Sequence, residues 1–177
     1  MKGSWNLLAG VDICEVIADV GNDIDFLFID SSHRHPIETI NFLCALPFLK
    51  NGALVIVHDT ALFQYRDGFI CGCFAPRYLI CSVAADKIEP CNENIDVIPN
   101  IAAFVVSEDT KRYVKNLFCS LMLPWTTEIP NSLLKKYTDF IDNNYDECFS
   151  LMFAKAVRFQ EVLARNHDGL LVKTNGW

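Results

Sequence analysis

No stretch of the 177 residues approaches the about 18 consecutive apolar positions that would suggest a membrane-spanning helix, so none is expected. Positive charge is also scarce. Fifteen Lys and Arg stand against 22 Asp and Glu, and the net charge of -7 argues against a general nucleic-acid binder, which needs a basic surface to meet phosphates. The first twenty residues, MKGSWNLLAGVDICEVIADV, lack an unbroken apolar core followed by a small-residue cleavage site, and do not read as a signal peptide. Internal repeats and low-complexity tracts are missing. Cysteine is plentiful at eight, but no C-x-x-C pair occurs, and Cys71-Gly72-Cys73 has only one residue between its thiols. Cys14, Cys44, Cys81, Cys119 and Cys148 sit inside apolar patterns, which suits reduced structural thiols in a cytoplasmic protein. What is present, 51% hydrophobic and 21% charged residues, is the composition of one globular domain and excludes a disordered chain.

The densest signal lies in residues 24–60, IDFLFIDSSHRHPIETINFLCALPFLKNGALVIVHDT. Two apolar runs, 24–29 and 53–57, end in the polar clusters Asp30-Ser31-Ser32-His33 and His58-Asp59-Thr60. Between them Ile37, Ile40, Leu43, Cys44, Pro47 and Phe48 recur at helical spacing. A strand, a helix and a strand at this length form a βαβ unit with parallel strands. Both polar clusters then lie at the carboxyl ends of the strands, where open α/β sheets bind ligands. The helix is expected to begin near Pro36 and to be capped by Lys50-Asn51-Gly52.

Elsewhere the pattern predicts a short strand over 5–9, an amphipathic helix over 12–20 and a short helix and loop over 61–75. Strands are expected over 78–84 and 101–106, paired antiparallel through the loop 87–100. Three helices follow. The first is capped by Ser107 or Asp109, with Tyr113, Val114, Leu117, Phe118 and Leu121 inward and Pro124 at its end. The second follows Pro130-Asn131, with Leu134, Tyr137, Phe140 and Ile141 inward. The third runs over 147–165, with Phe149, Met152, Phe153, Ala156, Phe159 and Leu163 in register.

The sequences Phe28-Ile29-Asp30-Ser31-Ser32-His33, Leu49-Lys50-Asn51-Gly52-Ala53 and Val57-His58-Asp59-Thr60, in that order, resemble the C-terminal half of a class I S-adenosylmethionine-dependent methyltransferase. Within that family they are similar to a group acting on small molecules or sugars, whose fourth strand ends in D-G-x-H and whose fifth ends in H-D. Residues 82–88 and 99–104 look like its sixth and seventh strands, and Gly10-Val11-Asp12 like the end of its third. The resemblance implies an α/β fold: a partial Rossmann-like methyltransferase sheet, strands three to seven, over 1–107, with a C-terminal three-helix extension over 108–177. It also implies O-methylation of a small molecule or sugar with S-adenosylmethionine as donor. Cofactor contacts would come from Gly10, Asp12, Asp30, Ser31 and Ser32. The group's glycine-rich turn and its ribose-binding acid have no counterpart here, since no G-x-G occurs, and Ser31-Ser32 replace the usual Gly and polar pair. The chain is therefore read as a truncated domain, and loss of activity is part of that expectation.

In this frame Asp30 positions the reacting groups. His33 or His58 takes the proton of an acceptor hydroxyl, a task that suits an imidazole titrating near neutrality. Asp30 and Asp59 are the candidates for a Mg²⁺, which prefers oxygen ligands. His35, just before Pro36, is expected to be a solvated residue at the helix start. A metal-dependent hydrolase would instead use His33, His35, His58 and Asp59, but the run H-x-H-x-D-H fails after His35, where Pro36-Ile37-Glu38 follows. A third reading is a non-catalytic half-domain that acts as an interaction module. The sheet edge left open by the missing strands would favour a homodimer.

Overall fold

The computed structural model describes residues 6–90 and 98–166. Its first helix, α1 (Ile13–Val20), starts where the Glu15 carboxylate accepts from the backbone N–H of Asp12 at 3.0 Å, and it stops at Gly21, whose φ is 97°. The strand expected over 5–9 does not form in residues 6–9, and Trp5 lies outside the described residues. Leu7 and Leu8 are exposed there, and among the described residues no strand pairs with this segment. The third strand of the expected sheet is thus missing among the described residues, and the strands read as fourth to seventh remain.

The βαβ unit forms as expected: β1 (Ile24–Ile29), α2 (Ile37–Ala45) and β2 (Leu49–His58), with β1 and β2 parallel. The cap expected at Lys50-Asn51-Gly52 is not one. A single 3-10 turn, Leu46–Phe48, closes the helix around Pro47, which has no N–H to continue it, and the three residues belong to β2. They form an irregularity in the ladder: Ile24 faces Leu49 while Phe26 faces Leu54. Gly52 allows this with φ 89°, its N–H donating to the Val106 carbonyl at 2.8 Å.

Past the site come α3 (Arg66–Ile70), α4 (Ala75–Ser82), β3 (Lys87–Ile88) and β4 (Ile101–Val105). The strand expected over 78–84 is overturned, since most of it completes α4. Pro76 sits in the first turn of that helix, and Ala75, Pro76, Leu79, Ile80 and Val83 are buried at helical spacing. An unbroken apolar run reads the same in either state until its flanks decide it. The strand read over 82–88 shortens to β3, and β3 is the antiparallel partner of β4. The middle of the connecting segment, 91–97, lies outside the described residues. β4 also pairs antiparallel with β2, giving the order β1-β2-β4-β3.

The helix expected up to Pro124 divides into α5 (Glu108–Arg112) and α6 (Lys115–Ser120). The break turns Tyr113 outward beneath the Arg112 guanidinium, 5.4 Å from the ring centre, while Val114, Leu117, Phe118 and Leu121 stay buried. α7 (Asn131–Asn144) and α8 (Glu147–Asn166) follow the predicted periodicity, with Tyr137, Phe140, Ile141, Phe153 and Ala156 in the core. Phe159 is exposed. One hydrophobic cluster joins residues on both sides of position 107, from Ile17 and Leu43 to Phe118 and Phe153. All seven described cysteines are free, and Cys81, Cys119 and Cys148 face solvent rather than the core. No helix among the described residues is long and apolar enough to cross a membrane.

The helices cover one face of the sheet, the face carrying Ile29, Val55, Val57, Ala102 and Phe104. The other face presents Phe26 and Phe28, then Leu54 and Ile56, then Ala103, Val105 and Ile88. Phe26, Phe28, Val105 and Ile88 are each 44–56% exposed. The outer edge of β1 has no strand beside it among the described residues.

Candidate functional site

Parallel pairing brings the carboxyl ends of β1 and β2 to one edge, and the side chains that follow them meet there. His33 Nε2 lies 3.1 Å from Asp30 Oδ1 and 3.0 Å from Asp59 Oδ2. His58 Nδ1 faces the opposite oxygens, 3.8 Å from Asp30 Oδ2 and 3.3 Å from Asp59 Oδ1. His33 is hydrogen-bonded into the pair of carboxylates, whereas His58 lies against them with Nδ1 unpartnered. Asp59 and His33 are the more enclosed pair, with side chains 17% and 20% exposed. Asp30, His33, His58 and Asp59, all singled out in the sequence, are brought together.

The backbone holds this arrangement in an unusual form. His33 and Asp59 have φ of 61° and 56°, a left-handed conformation that costs a residue with a Cβ about 1 kcal/mol or more. Only Asp23 shares it among the described non-glycine residues. Such strain persists where surrounding contacts over-determine it, and it gathers at functional sites. The contacts are visible. Asn100 Nδ2 donates to Asp59 Oδ1 at 2.7 Å, and the Ala75 N–H donates to the His33 carbonyl at 3.2 Å. The Arg77 Nε donates to the Thr60 carbonyl at 2.9 Å, and Thr60 Oγ1 to the Pro99 carbonyl at 3.0 Å. Sequence reasoning missed Asn100 and Arg77, because nothing local marks residues that act across 17 to 41 positions.

Three oxygen and nitrogen atoms, one each from Asp30, His33 and Asp59, lie within 4.8 Å of one another, a spacing that fits a cation. His33 thus joins the two carboxylates expected as ligands. An imidazole in the set favours a first-row transition ion over Mg²⁺, which is best served by oxygen alone.

A groove of about 380 Å³ reaches Ser31 and Ser32, the two residues between Asp30 and His33 in the chain, though none of the four cluster residues lines it. Asp12, Ser31 and Ser32, three of the residues expected to contact the cofactor, line it together with Asn41. Its far wall, Thr127 to Pro130 with Leu133 and Tyr137, was not foreseen; it comes from the segment leading into α7 and from α7 itself. Gly10, with φ 74°, and Asp30, the other two residues expected at the cofactor, do not line the groove.

His35 corrects two expectations. It is fully buried rather than solvated, with its ring edge-on to Tyr78 at 5.2 Å between centroids. Burial pushes its imidazole down to about 4, and its side chain is absent from the cluster, so the four-residue hydrolase site does not assemble.

Residues 4–60 match a family model described as a methyltransferase domain, which bears out the resemblance to class I S-adenosylmethionine-dependent methyltransferases over that segment. The matched segment carries all four residues of the cluster. No curated protein and no solved structure matches the chain.

Proposed function

We propose that the protein transfers a methyl group from S-adenosylmethionine to a hydroxyl of a small molecule or sugar. The observation that carries this reading is the His33 imidazole held between Asp30 and Asp59, next to a groove lined by Asp12, Ser31 and Ser32. The groove volume lies within the range of small-ligand sites, about 300 to 1,000 Å³, and its polar groups fit an adenosine moiety. Asp12, Ser31, Ser32 and Asn41 would hold that moiety, and the bound donor supplies an electrophilic methyl on sulfur. Methyl transfer requires the acceptor oxygen to be aligned and its proton to be removed. With Nε2–H held by the carboxylates, the other nitrogen of His33 takes that proton. Asn100, which donates to Asp59 Oδ1, keeps that acid in place, and His58 stands beside both acids without a hydrogen bond from Nδ1. Phe74, one residue from the Ala75 N–H that bonds His33, stacks on Phe63 and meets Phe69 of α3 edge-on, and the three would form an acceptor wall.

A divalent cation is the second element of the proposal. It would compete with the Nε2 proton for the same lone pair, so metal-assisted and base-assisted transfer exclude each other at His33. The uncovered apolar face and the open β1 edge support a second copy of the chain as partner. The test is transfer of labelled methyl to a panel of hydroxyl acceptors, with and without Mn²⁺. Wild type should transfer, and His33→Ala should lose about 10²-fold or more, the usual contribution of a general base. Equal rates for both proteins would overturn the role of His33, and activity that appears only with Mn²⁺ would favour the cation.

A further inference from the structure

Glu38 stands on the first turn of α2 and is 1% exposed, an uncommon place for a carboxylate. One of its oxygens, Oε1, accepts from Ser31 Oγ at 2.9 Å and from the backbone N–H of His33. The other, Oε2, has no partner. A buried carboxyl costs free energy unless its bonds repay it, and burial holds this one above the ordinary carboxylate range. Its two donors belong to the turn whose left-handed residue is His33. The ring of that residue lies between Asp30 and Asp59.

We propose that Glu38 is the positioning residue of the site: it gathers Ser31 and the His33 N–H onto one oxygen and thereby fixes the His33 imidazole between the two carboxylates. This deepens the proposed function and rests on its reading of His33. Glu38 does not touch the reacting groups and acts only through His33. Asn41 Nδ2, 3.4 Å from Ser31 Oγ, extends the same chain of bonds toward the groove. One helix turn thus sets both the imidazole and the serine beside the cofactor wall.

The test reads the tautomer of His33 in protein labelled with ¹⁵N-histidine, with the four histidines assigned by single substitutions. Wild type should hold the proton on Nε2. Glu38→Gln keeps an oxygen at the same reach and should retain that tautomer. Glu38→Asp draws the oxygen back by one methylene while keeping the charge, and Glu38→Leu removes it. Both should lose the fixed tautomer and show averaged nitrogen signals. An unchanged His33 tautomer in a folded Asp or Leu variant would overturn the proposal, as would a wild type with no fixed tautomer. If Leu does not fold, Asp decides, and failure of both to fold would assign Glu38 to folding rather than positioning. The measurement uses neither donor nor acceptor, so a protein that binds no S-adenosylhomocysteine would sink the proposed function and leave this result standing.

Discussion

His35 ties chemistry to stability at a single residue. Its imidazole sits at about 4 in the fold against an ordinary value of 6.5, so the unfolded chain takes up this proton first as the pH falls. Stability from His35 is therefore complete above 6.5 and is lost progressively down to about 4, by about 3 kcal/mol in all. Glu38, raised by burial, works with the opposite sign, so the comparison is made between variants. Denaturant curves from pH 7 to 4 should show a wild-type decline that His35→Leu flattens, and parallel curves would contradict it. Asp30, His33, His58 and Asp59 were legible in the sequence, because polar residues ending apolar strands mark the ligand edge of a sheet. The burial of His35 was not, since it depends on Thr126, whose Oγ1 accepts the His35 N–H from 91 residues away. Glu38 was hidden for a related reason. A charge at a helix start is usually solvated, and only packing shows that this one is enclosed.

At the scale of elements, caps and glycines carry testable weight. Ser107 Oγ accepts from the Thr110 N–H at 3.3 Å and Thr110 Oγ1 accepts from the Ser107 N–H at 3.1 Å, fixing the start of α5 as it leaves β4. Ser107→Ala should cost about 1 kcal/mol in denaturant unfolding, and no loss would show that α5 is held by packing alone. Gly52→Ala meets no steric neighbour, so its cost is the backbone conformation alone, about 1 kcal/mol or more, read the same way. The βαβ unit was readable because its two periodicities and its turn residues agree. The segment 78–84 was misread because Tyr78 to Ala84 is apolar enough for either state, and the deciding residues, Ala75 and Pro76, lie outside it. The division between α5 and α6 was equally hidden, since residues 112–115 carry neither a glycine nor a proline to mark the break. The groove wall from α7 could not be read at all. It exists only because α7 packs against α1 and α2.

The whole molecule has a covered sheet face and a bare one. A continuous apolar face beside an open strand edge is a surface that proteins pair or cover. As part of the proposed homodimer, Ile88→Lys with Val105→Lys, both remote from the site, should shift sedimentation toward the monomer while leaving the fold intact. A double variant that sediments like wild type would place any self-association elsewhere. The central claim, that the groove beside the Asp30–His33–Asp59 cluster takes the methyl donor, is tested most directly by calorimetric titration with S-adenosylhomocysteine. Micromolar binding that Asp30→Ala weakens is the predicted result, and the absence of detectable binding to the wild-type protein would contradict it, leaving a methyltransferase fold without the chemistry proposed for it.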